Sequence, residues 1–214
     1  MTAQASQTRI VNRALTMLGS AQRISSISDP SGPAVTALAL FDDARDATLV
    51  DHPWNFAIRR ASLAADAKPP EFGWDYAFTL PSDCLRWLPP SRDGGHWFRG
   101  EQEGNALLAD TPGPLPIRYI ARIEDVAAWS AGFTEALAWK LATEMEEAIT
   151  GQRSNAPGGG YDMALRKAKR ADGLTTGDRS RNMVTTSNWV RTRGDGSNTD
   201  WYYGPARGAR PDEV

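Results

Sequence analysis

The chain is 214 residues long, with 24 Lys and Arg against 26 Asp and Glu and a net charge of −2. That length holds one domain with a full core, or a domain plus an arm, and the near balance of charge argues against a dedicated nucleic-acid binder, which carries a basic excess. A single cysteine, Cys84, excludes an internal disulfide and suits a reducing compartment. The start, MTAQASQTRIVNRAL, has no apolar signal-like segment and no run approaches bilayer length, so synthesis in the cytosol is expected.

In chain order, Ser6–Leu18 is the first expected helix, with Val11, Ala14, Leu15 and Leu18 at helical spacing and Gly19 placed to end it. A polar link, Ser25–Gly32, leads through Asp29-Pro30 and Ser31-Gly32-Pro33 into a second helix, Pro33–Val50. On it Ala34, Leu38, Phe41 and Ala44 or Arg45 mark one side, and Asp42, Asp43 and Asp46 another. Pro53 stops it. Phe56, Arg59, Arg60 and Leu63 fall at helical steps and predict a third, short helix over Trp54–Ala64, broken by Lys68-Pro69-Pro70. The middle of the chain then changes to strand patterning. Tyr76–Leu80, Cys84–Leu88, Trp97-Phe98, Ala106–Leu108 and above all Leu115–Ala121 are expected to form a small antiparallel sheet, with Gly100–Gly104 as a separator and Arg92–Gly104 as an outward loop.

The strongest helical signal is Ala131–Thr150. Phe133, Leu137, Leu141, Met145 and Ile149 recur every four residues, and Ser130 and Gly151 supply caps. Its alanines favour close approach of another helix, and Glu135, Glu144, Glu146 and Glu147 are expected on the wet side. Ser154–Gly160 is expected to be a flexible loop and Tyr161–Arg170 a weak helix. From Thr175 to Val214 no period is visible, which implies an extended arm. The expected fold is therefore α+β and mainly α. It divides into amino-terminal bundle helices (1–70), a β-sheet subdomain (71–122), further bundle helices (123–174) and a carboxy-terminal arm (175–214).

A search for chemistry along the chain returns no catalytic constellation, and no enzyme is expected. Two histidines, His52 and His96, and one cysteine do not supply zinc-ligand spacings. No G-x-S-x-G is present. Pro157-Gly158-Gly159-Gly160 lacks the Lys-Ser/Thr ending of a phosphate loop and suggests a hinge. Asp195–Asp200 lacks the sixth-place glycine of a calcium loop, and Ala206 stands where its bidentate glutamate would be. No metal or cofactor is expected. The cluster Arg166, Lys167, Lys169 and Arg170 matches a solvated helix side as well as a phosphate contact.

The segments ARDATLVDHPWNFAIRRASLA, FGWDYAFTLPSDCLRW and LPIRYIARIEDVAAWSAGFTEALAWKLATEMEEAITG, in this order and spacing, resemble the head–tail adaptor proteins of tailed phages and prophages, and among these the tail tubular protein A type of short-tailed phages. The resemblance covers roughly Arg9 to Gly151. It implies a structural protein of the virion, made in the host cytoplasm. It would form a ring, dodecameric in most members, beneath the portal. The portal protein would lie on one side and a tail nozzle or next tail protein on the other. Genomic DNA would pass through the lumen without specific binding, and no membrane is involved.

The arm lacks the periodicity to fold alone, yet holds Trp189, Trp201, Tyr202 and Tyr203, residues that disordered linkers usually lack. It is expected to order on a partner, with those aromatics as anchors and Arg191, Arg193, Arg207 and Arg210 pairing with acidic groups. The resemblance makes that partner the portal. His96, Trp97 and Phe98, set between glycines, are the expected contact for the next tail protein, with packing on the protein's own body as the other reading. A DNA-binding or packaging accessory protein is the alternative from another class. It would use Arg166–Arg170 and the arginines of the arm.

Overall fold

Ser6 caps the first helix, its hydroxyl accepting the Arg9 N–H at 3.3 Å. α1 (Gln7–Met17) buries Ile10, Val11, Ala14 and Leu15 and is followed by Gly19 at φ 71°. The computed structural model describes residues 6–90 and 97–175. The chain divides after Thr175 into two units, and the second, 176–214, lies outside the described residues, as does the expectation of an extended arm there.

After α1 the chain is pinned by side chains. Asn12 both donates to the Ile24 carbonyl and accepts the Ile24 N–H, each at 2.9 Å. The Asp29 carboxylate accepts from the backbone of Ser25 and Ser26 and from the Ser25 hydroxyl, and these bonds hold its pKa below the usual carboxylate value. α2 (Gly32–Val50) follows, with proline in its first turn. It turns Ala34, Ala37, Phe41, Ala44, Thr48 and Leu49 inward, together with Arg45.

The third helix expected over Trp54–Ala64 is absent. The Ala57 and Ile58 N–H groups both return to the Trp54 carbonyl in a turn, and β1 (Ile58–Leu63) runs antiparallel to β6 (Leu115–Ala121), with Ile58 opposite Ile120 and Leu63 opposite Leu115. A helix of ten or so residues is marginal without tertiary support, whereas β6 offers a full ladder of partners to a segment ending in Ser and Leu. The sheet region therefore begins at Ile58, inside what the sequence divides off as amino-terminal helices.

Two three-stranded antiparallel sheets form, in the orders β1-β6-β3 and β2-β5-β4, where β2 is Tyr76–Thr79, β3 Cys84–Leu88, β4 Gly100–Glu103 and β5 Ala106–Ala109. β4 is the segment expected as a separator. Gly104 at φ 55° turns it back onto β5. The strand expected at Trp97-Phe98 thus lies three residues later, and residues 91–96 fall outside the described residues. Leu63, Leu115 and Ile117 of one sheet, Phe78, Leu107 and Ala109 of the other, and the inward faces of the helices belong to one buried cluster.

After a one-turn 3₁₀ helix at Val126–Ala128 comes α3 (Ala131–Thr150), with the caps expected: the Ser130 hydroxyl accepts the Phe133 N–H, and Gly151 adopts φ 72°. Phe133, Leu137, Leu141 and Met145 are fully buried, each burial contributing roughly 1.5–3 kcal/mol. α1, α2 and α4 (Ala156–Thr175) all pack on α3. α4 begins before the expected Tyr161, taking in the glycines expected as a hinge. The reason is the neighbouring helix: a Cβ on Gly160 would lie 2.4 Å from the Trp139 ring, and one on Gly132 2.9 Å from the Ala168 Cβ. α3 and α4 are thus an antiparallel hairpin whose backbones meet through small residues. Glu146, expected on the wet side, is buried at the hairpin's closed end. It accepts from the Ser154 hydroxyl at 2.6 Å and the Ser154 N–H at 2.9 Å, and those bonds lower its pKa.

Candidate contact surfaces

The HPWNFA stretch is a junction rather than a surface. Pro53 ends α2 and throws Trp54 inward, where it is fully buried. Its Nε1–H donates to the Thr48 carbonyl at 2.9 Å, satisfying one of the last carbonyls of α2. The ring meets Phe133 edge-on at 5.3 Å and His52 at 4.9 Å. Phe56 also meets Phe133 at 5.3 Å. Trp129, which helical and strand spacing do not single out, extends this aromatic chain from Phe133 at 5.1 Å to Phe41 at 6.3 Å. Its Nε1–H donates to the Ile123 carbonyl. Trp54 and Phe56 accordingly fasten the end of α2 to α3.

The same junction holds the end of α4. The Asp172 carboxylate lies 3.1 Å from the His52 Nε2 and accepts the Asn55 N–H, while the Asn55 side chain donates to the Asp172 carbonyl and the Thr175 hydroxyl. Burial pushes the His52 pKa down, against the opposing pull of Asp172. Three turns earlier on the same side of α4 the Tyr161 hydroxyl donates to Asp51, and burial, with the bond to Asp51 and its charge, raises the Tyr161 pKa. α4 is therefore clamped to the end of α2 at Tyr161 and Asp172, immediately before residue 176.

A second constellation links two motif segments by charge. Arg45 is buried and reaches Asp42 and Asp46, each at 2.8 Å, and Arg122 reaches Asp46 at 2.7 Å. Close by, the Tyr119 hydroxyl donates to Asp83. Asp46, expected with Asp42 and Asp43 as a wet face, is thus a bridging acceptor between α2 and the end of β6.

Of the residues expected to contact the next tail protein, His96 lies outside the described residues. Trp97 is 53% exposed, while Phe98 is 7% exposed and stacks on Trp87 at 6.1 Å. Phe98 therefore serves the core, and Trp97 alone of the pair is presented. Close to it, Arg99 sits over the Trp74 ring at 5.2 Å, and Phe72, two residues before Trp74, is 87% exposed. The residues expected to meet the portal, Trp189, Arg191, Arg193, Trp201, Tyr202, Tyr203, Arg207 and Arg210, all lie outside the described residues.

Two charged surfaces complete the inventory. Along α4, Arg166, Lys167 and Arg170 are exposed with Met163 and Leu174, and Lys169 is half-buried. On the sheet, Arg60 of β1 stands directly opposite Arg118 of β6, both exposed, and Arg86 of β3 pairs with Ile120 on the same face. Strand spacing in the sequence does not reveal this row, because it is created by register between distant segments. A cleft of about 540 Å³ at the start of α1 is lined by Ser6, Gln7, Thr8, Glu124, Asp125, Val126 and Ala127, and Asp125 is already engaged as a cap to Ala127. No group of three or more metal-ligating side chains gathers among the described residues, and none of the described helices is long and apolar enough to cross a membrane. No family model matches the chain, and no curated protein matches it.

Proposed function

We propose that this protein is a head–tail adaptor of a tailed phage: a structural ring subunit that joins the portal vertex to the tail and encloses the DNA path. The observation that carries this reading is the order of the motif segments, together with the way they fit one another. ARDATL supplies Arg45 and Asp46, which meet Arg122 of YIARIED. HPWNFA supplies Trp54 and Phe56, which meet Phe133 of FTEALAWK. LPSDCLRW supplies Asp83 for Tyr119 and a strand, β3, alongside β6. Segments scattered over the chain thus build one framework.

In this role the arm, 176–214, embraces the portal, and the exposed Trp97 meets the next tail component. Deleting Ser187–Val214 abolishes co-assembly with portal rings while the body keeps its helix content. Trp97→Ala leaves portal binding intact and weakens attachment of the tail component. A truncated chain that still decorates portals overturns the assignment of the arm. A DNA-binding or packaging accessory role is the second reading, favoured by the exposed Arg166, Lys167 and Arg170 on α4. Under it, the purified chain binds DNA with steep salt dependence and does not join portals.

A further inference from the structure

We propose that the outward sheet face carrying Arg60 and Arg118, with Arg86 at its edge, is a contact site for the sugar–phosphate backbone of nucleic acid, separate from the basic side of α4. Arg60 and Arg118 are direct cross-strand partners in the β1–β6 ladder; on β3 Arg118 faces Leu88, and the half-buried Arg86 lies two ladder positions along, opposite the fully buried Ile120. Arg60 and Arg118 therefore stand side by side at the open end of this face, with Arg86 at its covered end. Like charges directly opposite one another destabilise a sheet, and no carboxylate among the described residues pairs with any of the three. Asp172, near the Arg86 end, is held by His52 and Asn55, and Arg86 and Lys169 both bear on that imidazole.

Chemistry favours a phosphate backbone over an acidic protein. Guanidinium forks match phosphate oxygens two at a time, and a polyanion relieves the repulsion that the native register maintains. Protein interfaces centre on buried aromatic or aliphatic anchors. On the open side the next ladder pair is Ser62 opposite Pro116, both exposed; the aliphatic neighbours on this face, Ile58, Ile120 and Leu88, are buried or half-buried, and none of the exposed large apolar side chains (Val35, Leu38, Phe72, Trp97, Met163, Leu174) lies on these strands. The inference rests on the adaptor reading only for the presence of DNA beside the protein.

The test uses the full chain and a fluorescent DNA duplex, titrated by anisotropy at several salt concentrations. About two phosphate contacts give a log–log salt slope of roughly −1.8, a loss of about 12-fold in affinity between about 50 and 200 mM salt. Arg60→Glu/Arg118→Glu reduces that slope by about 2, whereas Arg166→Glu/Lys167→Glu leaves the sheet's share intact. Arg60→Glu alone creates an opposite-charge pair with Arg118, so it raises Tm while weakening DNA binding, a combination that loss of folding does not produce. Polyglutamate is the acidic-protein control and binds no better to wild type than to the double variant. DNA affinity unchanged in the sheet variants, or loss of polyglutamate binding in place of DNA binding, overturns the proposal. Portal co-assembly by the same sheet variants is measured separately: its survival leaves the adaptor reading standing whatever the DNA result.

Discussion

Trp54 joins three elements through a single side chain: it satisfies a carbonyl at the end of α2, packs edge-on against α3 and covers His52. Trp54→Ala removes a fully buried ring and the partner of the Thr48 carbonyl, so it should cost about 3–5 kcal/mol, measurable as a lower urea midpoint. His52 supplies a pH dependence from the same junction. Burial holds its folded-state pKa below the ordinary 6.5, so the unfolded chain takes up the proton first as pH falls. Stability from this group is complete above about pH 7 and declines as pH drops below 6.5 toward the folded pKa. His52→Gln should flatten that part of a stability profile taken from pH 8 to pH 5, and a ring titration followed by NMR should give a midpoint below that of a histidine in an unfolded peptide. A midpoint above it would mean that Asp172 outweighs burial.

At the scale of elements, the α3–α4 hairpin sets helix propensity against contact. Replacing glycine by alanine inside a helix ordinarily stabilises by up to about 1 kcal/mol. Gly159→Ala should do so, since a Cβ there meets open space. Gly160→Ala should destabilise instead, because the Trp139 ring occupies the position of the new methyl group. Thermal melts of the two variants moving in opposite directions would establish the close approach, and melts moving together would contradict it. This contact also marks the limit of what local sequence reveals. α3 was legible to its ends, because a four-residue apolar stripe and two caps agree. α4 was not, because three glycines carry no apolar signal and their purpose lies in a tryptophan some twenty residues away. β1 was misread as a helix, because IRRASL has no strict alternation and only its pairing with β6 decides it. For the same reason the arginine row was invisible: register, not spacing, brings Arg60 and Arg118 together. Phe98 and Trp97 are neighbours of like character, and nothing local tells which one faces the core.

On the scale of the whole molecule, the mainly α fold with antiparallel strands was legible, but its strands form two sheets where one was expected, and the proposed function rests on motif order and on the way those segments interlock. The described unit has its own buried core, so removing Ser187–Val214 should leave its thermal midpoint unchanged, as differential scanning fluorimetry would show. The central claim is that this chain is a ring subunit at the portal vertex. Its most direct test is electron microscopy of the full chain mixed with the portal encoded in the same genome. The account predicts an added ring of density, rotationally symmetric with the portal and dodecameric as the resemblance to phage adaptors implies, on one face only and absent with the truncated chain. Portals that remain bare at saturating concentrations of full-length protein would contradict it.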